Sequence, residues 1–271
     1  MSEQRFIWVN GRFVPADAPV IRGDDRGFTV GEGVFETLLA SAGRLWMPER
    51  HHARLSSACA RLGLDAPALE LCQAVSAELL VRNRLGSSRA RVRWTLSAGA
   101  PEGAATLVVS AVAASAPPAS LALWLVPFTR NERGALAGIK SSAYAENLLA
   151  QAEARRHGAD EALLLNSRGE LCECATRNLF LVRGGTVLTP ELESGCLPGV
   201  TRAVVLALCA EANIPAHQDS LLPPDLDSAE EIFLTSSIGG ILPVRSLQGR
   251  VLALAPGPVT ARLAELLEAG R

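Results

Sequence analysis

Lysine is almost absent from this chain. Of its 26 lysine and arginine residues one is lysine, Lys140, and the other 25 are arginine. Aromatics are scarce as well, at 4%, with a single tyrosine, Tyr144. The six cysteines (Cys59, Cys72, Cys172, Cys174, Cys196, Cys209) form no Cys-x-x-Cys pair and no regular framework. In 271 residues that pattern reads as reduced thiols, not a disulfide scaffold, and it offers a metal no second ligand pair. No apolar run has the length needed to span a bilayer. The opening "MSEQRFIWVNGRF" lacks the basic and apolar regions of a secretory signal. A formal net charge of −2 gives the molecule no electrostatic reason to seek nucleic acid. Gly-Lys-Ser/Thr occurs nowhere, so nucleotide hydrolysis has no support. These absences leave a cytoplasmic globular protein acting on a small molecule, with no metal, nucleic-acid or membrane partner.

What is present alternates strand and helix signals. "FIWVNGRFV" carries a hairpin signal at Asn10-Gly11. The second half of "RGDDRGFTVGEGVFETLLA" reads as a strand. "PERHHARLSSACARLGL" has helical spacing at Leu55, Cys59 and Leu62, with Gly63 as its stop, and a second helix runs to Gly86. Two strands follow, "RARVRWTLSAG" and "AATLVVSAVAA". "SAPPAS" then breaks the composition, and its Pro-Pro marks a linker. The expected organisation is an α+β domain over 1–115, a linker over 116–126, and a second α+β domain over 127–271 that carries Lys140. Within the latter, "YAENLLAQAEARRHG" and "PGVTRAVVLALCAEANI" read as helices. "EALLLN", "ELCECA" and "NLFLV" read as strands, and "EEIFLTSSIGGILPV" as a strand entering a Ser/Gly loop.

Four groups of residues bear on chemistry. An amine can lose its proton, attack a carbonyl and form an imine, whereas a guanidinium stays charged at any working pH. A chain that writes nearly every cation as arginine therefore has a chemical motive to keep Lys140; the alternative is a surface lysine kept by chance. Tyr144, four residues on, shares a helix face with Lys140 if the helix starts that early. In "ELCECATRNLF" strand alternation turns Glu173 away from Cys172 and Cys174, which suits a carboxylate aimed into a site. "LPGVTRAV" sets Val200 and Thr201 at a helix N-terminus, and "LTSSIGG" adds Ser236 and Ser237 at a strand end; both suit an anion. "SSRARVRW" places Arg89, Arg91 and Arg93 on one strand face, either solvated or meeting a carboxylate of the substrate.

The order of these pieces resembles the class IV, or fold-type IV, pyridoxal-phosphate aminotransferase family, which contains branched-chain and D-amino acid aminotransferases and 4-amino-4-deoxychorismate lyases. The matching stretches are "DRGFTVGEGVFET", "HHARL", "LAGIK", "GADEALLLN", "ECATRNLF", "LPGVTR" and "FLTSSIGGILPV", and they span nearly the whole chain. The resemblance implies a two-domain α+β fold like that of D-amino acid aminotransferase, with pyridoxal 5'-phosphate between the domains and a homodimeric assembly. It implies that Lys140 holds the cofactor as an imine and shuttles protons. Glu173 faces the pyridine nitrogen, Arg54 binds the phosphate with Val200, Thr201 and Ser237, Leu197 packs on the ring, and Tyr144 touches the ring hydroxyl.

Departures from the family's patterns bear on specificity. D-amino acid aminotransferases carry tyrosine where this chain has Phe28, and an arginine and a histidine in the loop that here reads "SAGAPEGAA". Many transaminases of the family read Glu-Ile-Thr-Pro where this chain has "GGILP". "TRNERGALAGIK" and "ADEALLLNSRGELCECATRNLF" are most similar to aminodeoxychorismate lyases, although the usual asparagine three residues after the lysine is Ala143. The resemblance thus implies a lyase that releases pyruvate and forms 4-aminobenzoate for folate synthesis. Its alternative is an aminotransferase of branched-chain or D-amino acid type acting on a 2-oxo acid. Arg26, Phe28, Arg93, Arg130 and Arg177 are candidates for contact with the substrate.

Overall fold

Six antiparallel strands form the sheet of the first of two units in a computed structural model, which describes residues 4–271. That unit is Met1–Ala116 together with Ile139–Tyr144; the second is Pro117–Gly138 together with Ala145–Arg271. The first three residues of the expected 1–115 domain lie outside the described residues.

In the first unit, strands β1 (Phe6–Val9) and β2 (Arg12–Pro15) form the expected hairpin, with Asn10 and Gly11 at positive φ. Helix α1 (Arg26–Thr29) precedes β3 (Gly33–Ser41) and β4 (Arg44–Leu45). Helices α2 (Pro48–Leu62) and α3 (Leu69–Arg82) come next, followed by β5 (Ala90–Ser97) and β6 (Thr106–Ala113). The sheet order is β2-β1-β6-β5-β3-β4. Residues of α2 and α3 such as Leu55, Cys59, Val75 and Leu79 share one buried cluster with Val34, Leu38, Val92, Trp94 and Val109 of the sheet. Helix α2 stops at Gly63, as its sequence implies, in the left-handed conformation. Helix α3 ends four residues before the expected Gly86, because the Asn83 side chain leaves the helix to bind elsewhere. Its amide exchanges hydrogen bonds with Phe6 N and O and donates to Ala111 O.

Ile139–Tyr144 joins this unit through backbone hydrogen bonds. Ser141 bridges Val34; Phe35 N donates to Lys140 O at 2.9 Å, and Ser142 N donates to Gly33 O at 2.8 Å. The strand "GEGVFET" is small-residue-rich at this seam for a steric reason. A Cβ on Gly33 would lie 2.6 Å from Leu96 O, and Gly31, at φ +72, sits against Ala143. The lysine segment, expected within 127–271, clusters with the first unit, and its backbone partners are on β3. Helix α4 (Ala145–Arg156) starts after Tyr144, so Lys140 and Tyr144 share no helix face.

The second unit adds β7 (Leu121–Arg130), β8 (Glu161–Asn166), β9 (Leu171–Cys174), β10 (Asn178–Arg183) and β11 (Thr186–Pro190). After α5 (Val200–Glu211) come β12 (Ala216–Asp219), α6 (Pro223–Ser228), β13 (Glu231–Ser236), β14 (Gly240–Leu247), β15 (Arg250–Val251) and α7 (Pro258–Ala269). Its nine-stranded mixed sheet runs β12-β11-β10-β13-β14-β7-β8-β9, with β15 on β14. The expected linker 116–126 shrinks accordingly. From Leu121 onward the chain is a strand paired in parallel with both β14 and β8, with Leu121, Ala122 and Leu123 buried. "EEIFLTSSIGGILPV" is a complete hairpin, β13 and β14, with Ser236 opposite Gly240. Among the described residues no helix is long and apolar enough to cross a membrane.

Candidate functional site

Strand alternation on β3 sorts the first unit's polar groups. Glu36 pairs across the sheet with Trp94 and is fully buried, as are Val34 and Leu38 on the same face. The opposite face carries Phe35 and, opposite Arg93 of β5, Thr37. On that face the Arg93 guanidinium lies 3.6 Å from the centroid of the Phe35 ring, and the Lys140 Nζ lies 4.4 Å from it. Tyr144 meets the Phe35 ring edge-on, with centroids 5.3 Å apart, and its own ring is 5.5 Å from Lys140 Nζ. Tyr144 and Lys140 are therefore neighbours, through a bend and a shared aromatic residue instead of a helical repeat. Burial lowers the Arg93 pKa from its usual value, and the nearby Arg91 charge adds to this. The arginine stripe is real, with Val92 and Trp94 buried behind it, and Arg93 is the member that turns inward to aromatic contact.

Arg54 projects from α2 onto Glu36. Its Nε donates to Oε1 and its Nη2 to Oε2, each at 2.7 Å. His51, one helical turn earlier, puts Nδ1 2.6 Å from the same Oε2. Burial alone would push the Glu36 carboxyl up, but the Arg54 charge and the hydrogen bonds from His51 and Arg54 outweigh it and hold the pKa at about 2. The His51 pKa is lowered, chiefly by burial; Glu36 opposes this, and the charges of Arg54 and Lys140 add to it. His51 is thus neutral, and because a carboxylate only accepts, its Nδ1 carries the proton.

In the "DRGF" stretch Asp25 has a structural task. Asp25 is buried, caps α1 through Gly27 N at 2.8 Å, and accepts from Ser97 and Thr106 hydroxyls. Arg26 pairs with Glu32, and Phe28 is 74% exposed.

In the second unit Glu173 lies on β9, 8% exposed. Its Oε2 accepts from Leu197 N at 2.9 Å, and its Oε1 is 3.3 Å from Arg130 Nε. Arg130 also donates from Nη1 to Glu146 Oε2 at 3.3 Å. Leu197 O accepts from Asn178 Nδ2 at 2.8 Å. A Cβ at Gly199, the N-cap of α5, would sit 2.0 Å from Asn178 Oδ1, so a larger residue there would displace that amide. Just inside this helix mouth Val200 and Thr201 are buried, and the Thr201 hydroxyl oxygen has no hydrogen-bond partner among the described residues. A buried hydroxyl left unpaired is costly unless something supplies its partner. A phosphate oxygen at a helix N-terminus is such a partner, so this end of the unit fits the phosphate of the implied cofactor. A buried carboxylate whose position is held by Leu197 N and Arg130 likewise fits a pyridine nitrogen that carries a proton.

The Ser/Gly turn is held from both sides. Ser236 Oγ accepts from Gly239 N at 3.0 Å, and Ser237 O accepts from Arg271 Nη2 at 3.0 Å. Arg177, a candidate for substrate contact, is instead ion-paired with fully buried Glu161, which also accepts from the Thr176 hydroxyl. Glu36, His51, Phe35, Asn178 and Arg271 have no counterpart among the sequence-based candidates. The signal for the first two was available in the alternation of β3 and the i, i+3 spacing of His51 and Arg54. No group of three or more potential metal-binding His, Cys, Asp or Glu side chains occurs among the described residues.

The family model described as amino-transferase class IV matches residues 33–247. A Methanocaldococcus jannaschii protein with a provisional branched-chain-amino-acid aminotransferase name is 31% identical, over 96% of this chain and 94% of its own length. The branched-chain aminotransferase of the archaeon Thermoproteus uzoniensis, solved with norvaline, is 26% identical with a TM-score of 0.91, covering 98% of this chain and 94% of that one. A Legionella pneumophila structure with the provisional name 4-amino-4-deoxychorismate lyase is 26% identical with a TM-score of 0.89, covering 94% and 97%.

Proposed function

The chain belongs to the class IV aminotransferases, and from that premise we propose that it is a transaminase moving an amino group between an aliphatic amino acid and a 2-oxo acid. The family depends on pyridoxal phosphate, which when bound supplies an electron sink for the substrate's α-carbon. The remaining work falls to side chains of this chain. Lys140, the only lysine, would hold the cofactor through its amine and, when that amine is free, would move a proton at Nζ. Glu173, kept in place by Leu197 N and Arg130, keeps the ring nitrogen protonated. Arg54, Thr201 and Ser237 would bind the phosphate, as the resemblance implies. Arg93 binds a carboxylate of the substrate. The homodimer implied by the resemblance is part of the proposal.

The observation that carries this reading is the pair of cations on Phe35: Arg93 at 3.6 Å and Lys140 at 4.4 Å. An amine that does chemistry and a guanidinium that reads a carboxylate thus share one aromatic ring, a pairing that suits an α-amino acid. The aliphatic preference is supported by the names of the relatives, which favour branched-chain aminotransferases. The preference for the lyase drawn from "TRNERGALAGIK" and its companion stretch gives way to that weight. The lyase stays as the second reading on the strength of the L. pneumophila neighbour.

Purified protein with pyridoxal phosphate, 2-oxoglutarate and leucine, isoleucine or valine is expected to form glutamate. Release of pyruvate and 4-aminobenzoate from aminodeoxychorismate, with no glutamate formed from any amino acid, would replace the transaminase reading with the lyase one.

A further inference from the structure

We propose that Glu36 and His51 are positioning residues that set the guanidinium plane of Arg54 for the cofactor's phosphate. The inference rests on the reading of Arg54 as a phosphate ligand and deepens it.

A guanidinium has five N–H donors in one rigid plane, so fixing two of them fixes the direction of the rest. Glu36 takes Nε and Nη2 at 2.7 Å each, using both of its oxygens. His51 holds Oε2 of that carboxylate at 2.6 Å and so fixes the carboxylate in turn. Glu36 and His51 are both fully buried, whereas the Arg54 side chain is 12% exposed. The buried pair is thus the anchor and the guanidinium is the working end. The Lys140 charge acts on the His51 ring, which places the cluster within electrostatic reach of the lysine. Glu36 also lies one residue from Phe35, whose ring carries Lys140. A buried bidentate pair contributes little net stability against an apolar replacement, so stability is a weak reason for building one here. Orientation of a ligand-facing arginine is a better one.

The test compares binding of pyridoxal phosphate with binding of pyridoxal, which lacks the phosphate, to the cofactor-stripped full-length protein. Arg54→Gln and Glu36→Gln are measured alone and together, with thermal unfolding as the folding control. Both single variants are expected to lose pyridoxal phosphate affinity by about tenfold or more. Pyridoxal affinity should stay within about twofold, and the double variant should be no worse than Arg54→Gln. If Arg54→Gln behaves so and Glu36→Gln binds pyridoxal phosphate normally, or weakens both ligands equally, the positioning role is wrong while the phosphate role of Arg54 stands. If Arg54→Gln itself weakens both ligands equally or neither, both ideas fall. Should Glu36→Gln fail to fold, His51→Asn, which leaves the Arg54–Glu36 pair in place, is expected to give a smaller loss confined to pyridoxal phosphate. An unchanged affinity there would overturn the proposal.

Discussion

The Arg93 guanidinium lies 3.6 Å from the centroid of the Phe35 ring, and that same ring carries the Lys140 amine at 4.4 Å. Strand pairing explains why they meet. Phe35 and Arg93 lie on one face of adjacent strands, with Phe35 opposite Thr95 and Thr37 opposite Arg93, and Lys140 is delivered to that face by hydrogen bonds to β3.

Arg93→Leu should therefore raise the KM for the amino acid by about tenfold to a hundredfold, with thermal stability nearly unchanged. Arg177→Leu should do the reverse. It leaves fully buried Glu161 without its ion pair and is expected to cost about 3 to 5 kcal/mol of stability. Steady-state kinetics beside denaturant unfolding of both variants separates a substrate contact from a structural one.

Thr201 gives a test in which stability and affinity move apart. Its hydroxyl is buried and has no partner among the described residues, so Thr201→Val should leave the cofactor-free protein equally stable or slightly more so. Its affinity for pyridoxal phosphate should fall by roughly fivefold to tenfold, the loss of one charge-assisted hydrogen bond. Calorimetric melting and cofactor titration of one preparation check both halves.

The Glu36–His51 pair makes the first unit acid-sensitive. The His51 pKa is lowered from 6.5 in the fold, so the unfolded chain binds its proton first and stability falls as pH drops below that value. Glu36, held at about 2 against 4.5, contributes stability that is complete above 4.5 and lost as pH falls toward 2. That contribution is about 3 kcal/mol. Urea unfolding between pH 8 and pH 4 should show a decline that starts near pH 6.5. His51→Asn should shift the start of that decline toward the carboxylate range.

The thiols should be inert. All six cysteines are buried and free, and burial pushes Cys59, Cys72, Cys196 and Cys209 up to about 11 and Cys172 and Cys174 further in the same direction. A maleimide reagent at neutral pH is expected to label none in the native protein and all six after denaturation.

Much of the fold was legible because the local signals were strong. Asn10-Gly11 turns a hairpin, Gly63 stops α2, and the spacing in α5 and α7 is helical. Strand β12, "AHQD", was not, since it is mostly exposed and polar and pairs only with β11, in parallel. Lys140, Glu173 and Thr201 stood out in the sequence because their chemistry is scarce or their position is special. Glu36 and His51 did not, because their significance depends on which face of β3 meets α2. The placement of Lys140 misled for a similar reason: a segment between two strand-rich halves follows whichever edge hydrogen-bonds it, and here that edge is β3.

The central claim is that Lys140 is where the cofactor attaches. Protein mixed with pyridoxal phosphate, reduced with borohydride and digested should yield one modified peptide, with the reduced adduct on Lys140. Lys140→Arg, which keeps the charge, should yield none and lose amino transfer. Reduced protein that carries no label at Lys140, or a Lys140→Arg variant that transaminates as well as the parent, would contradict the account.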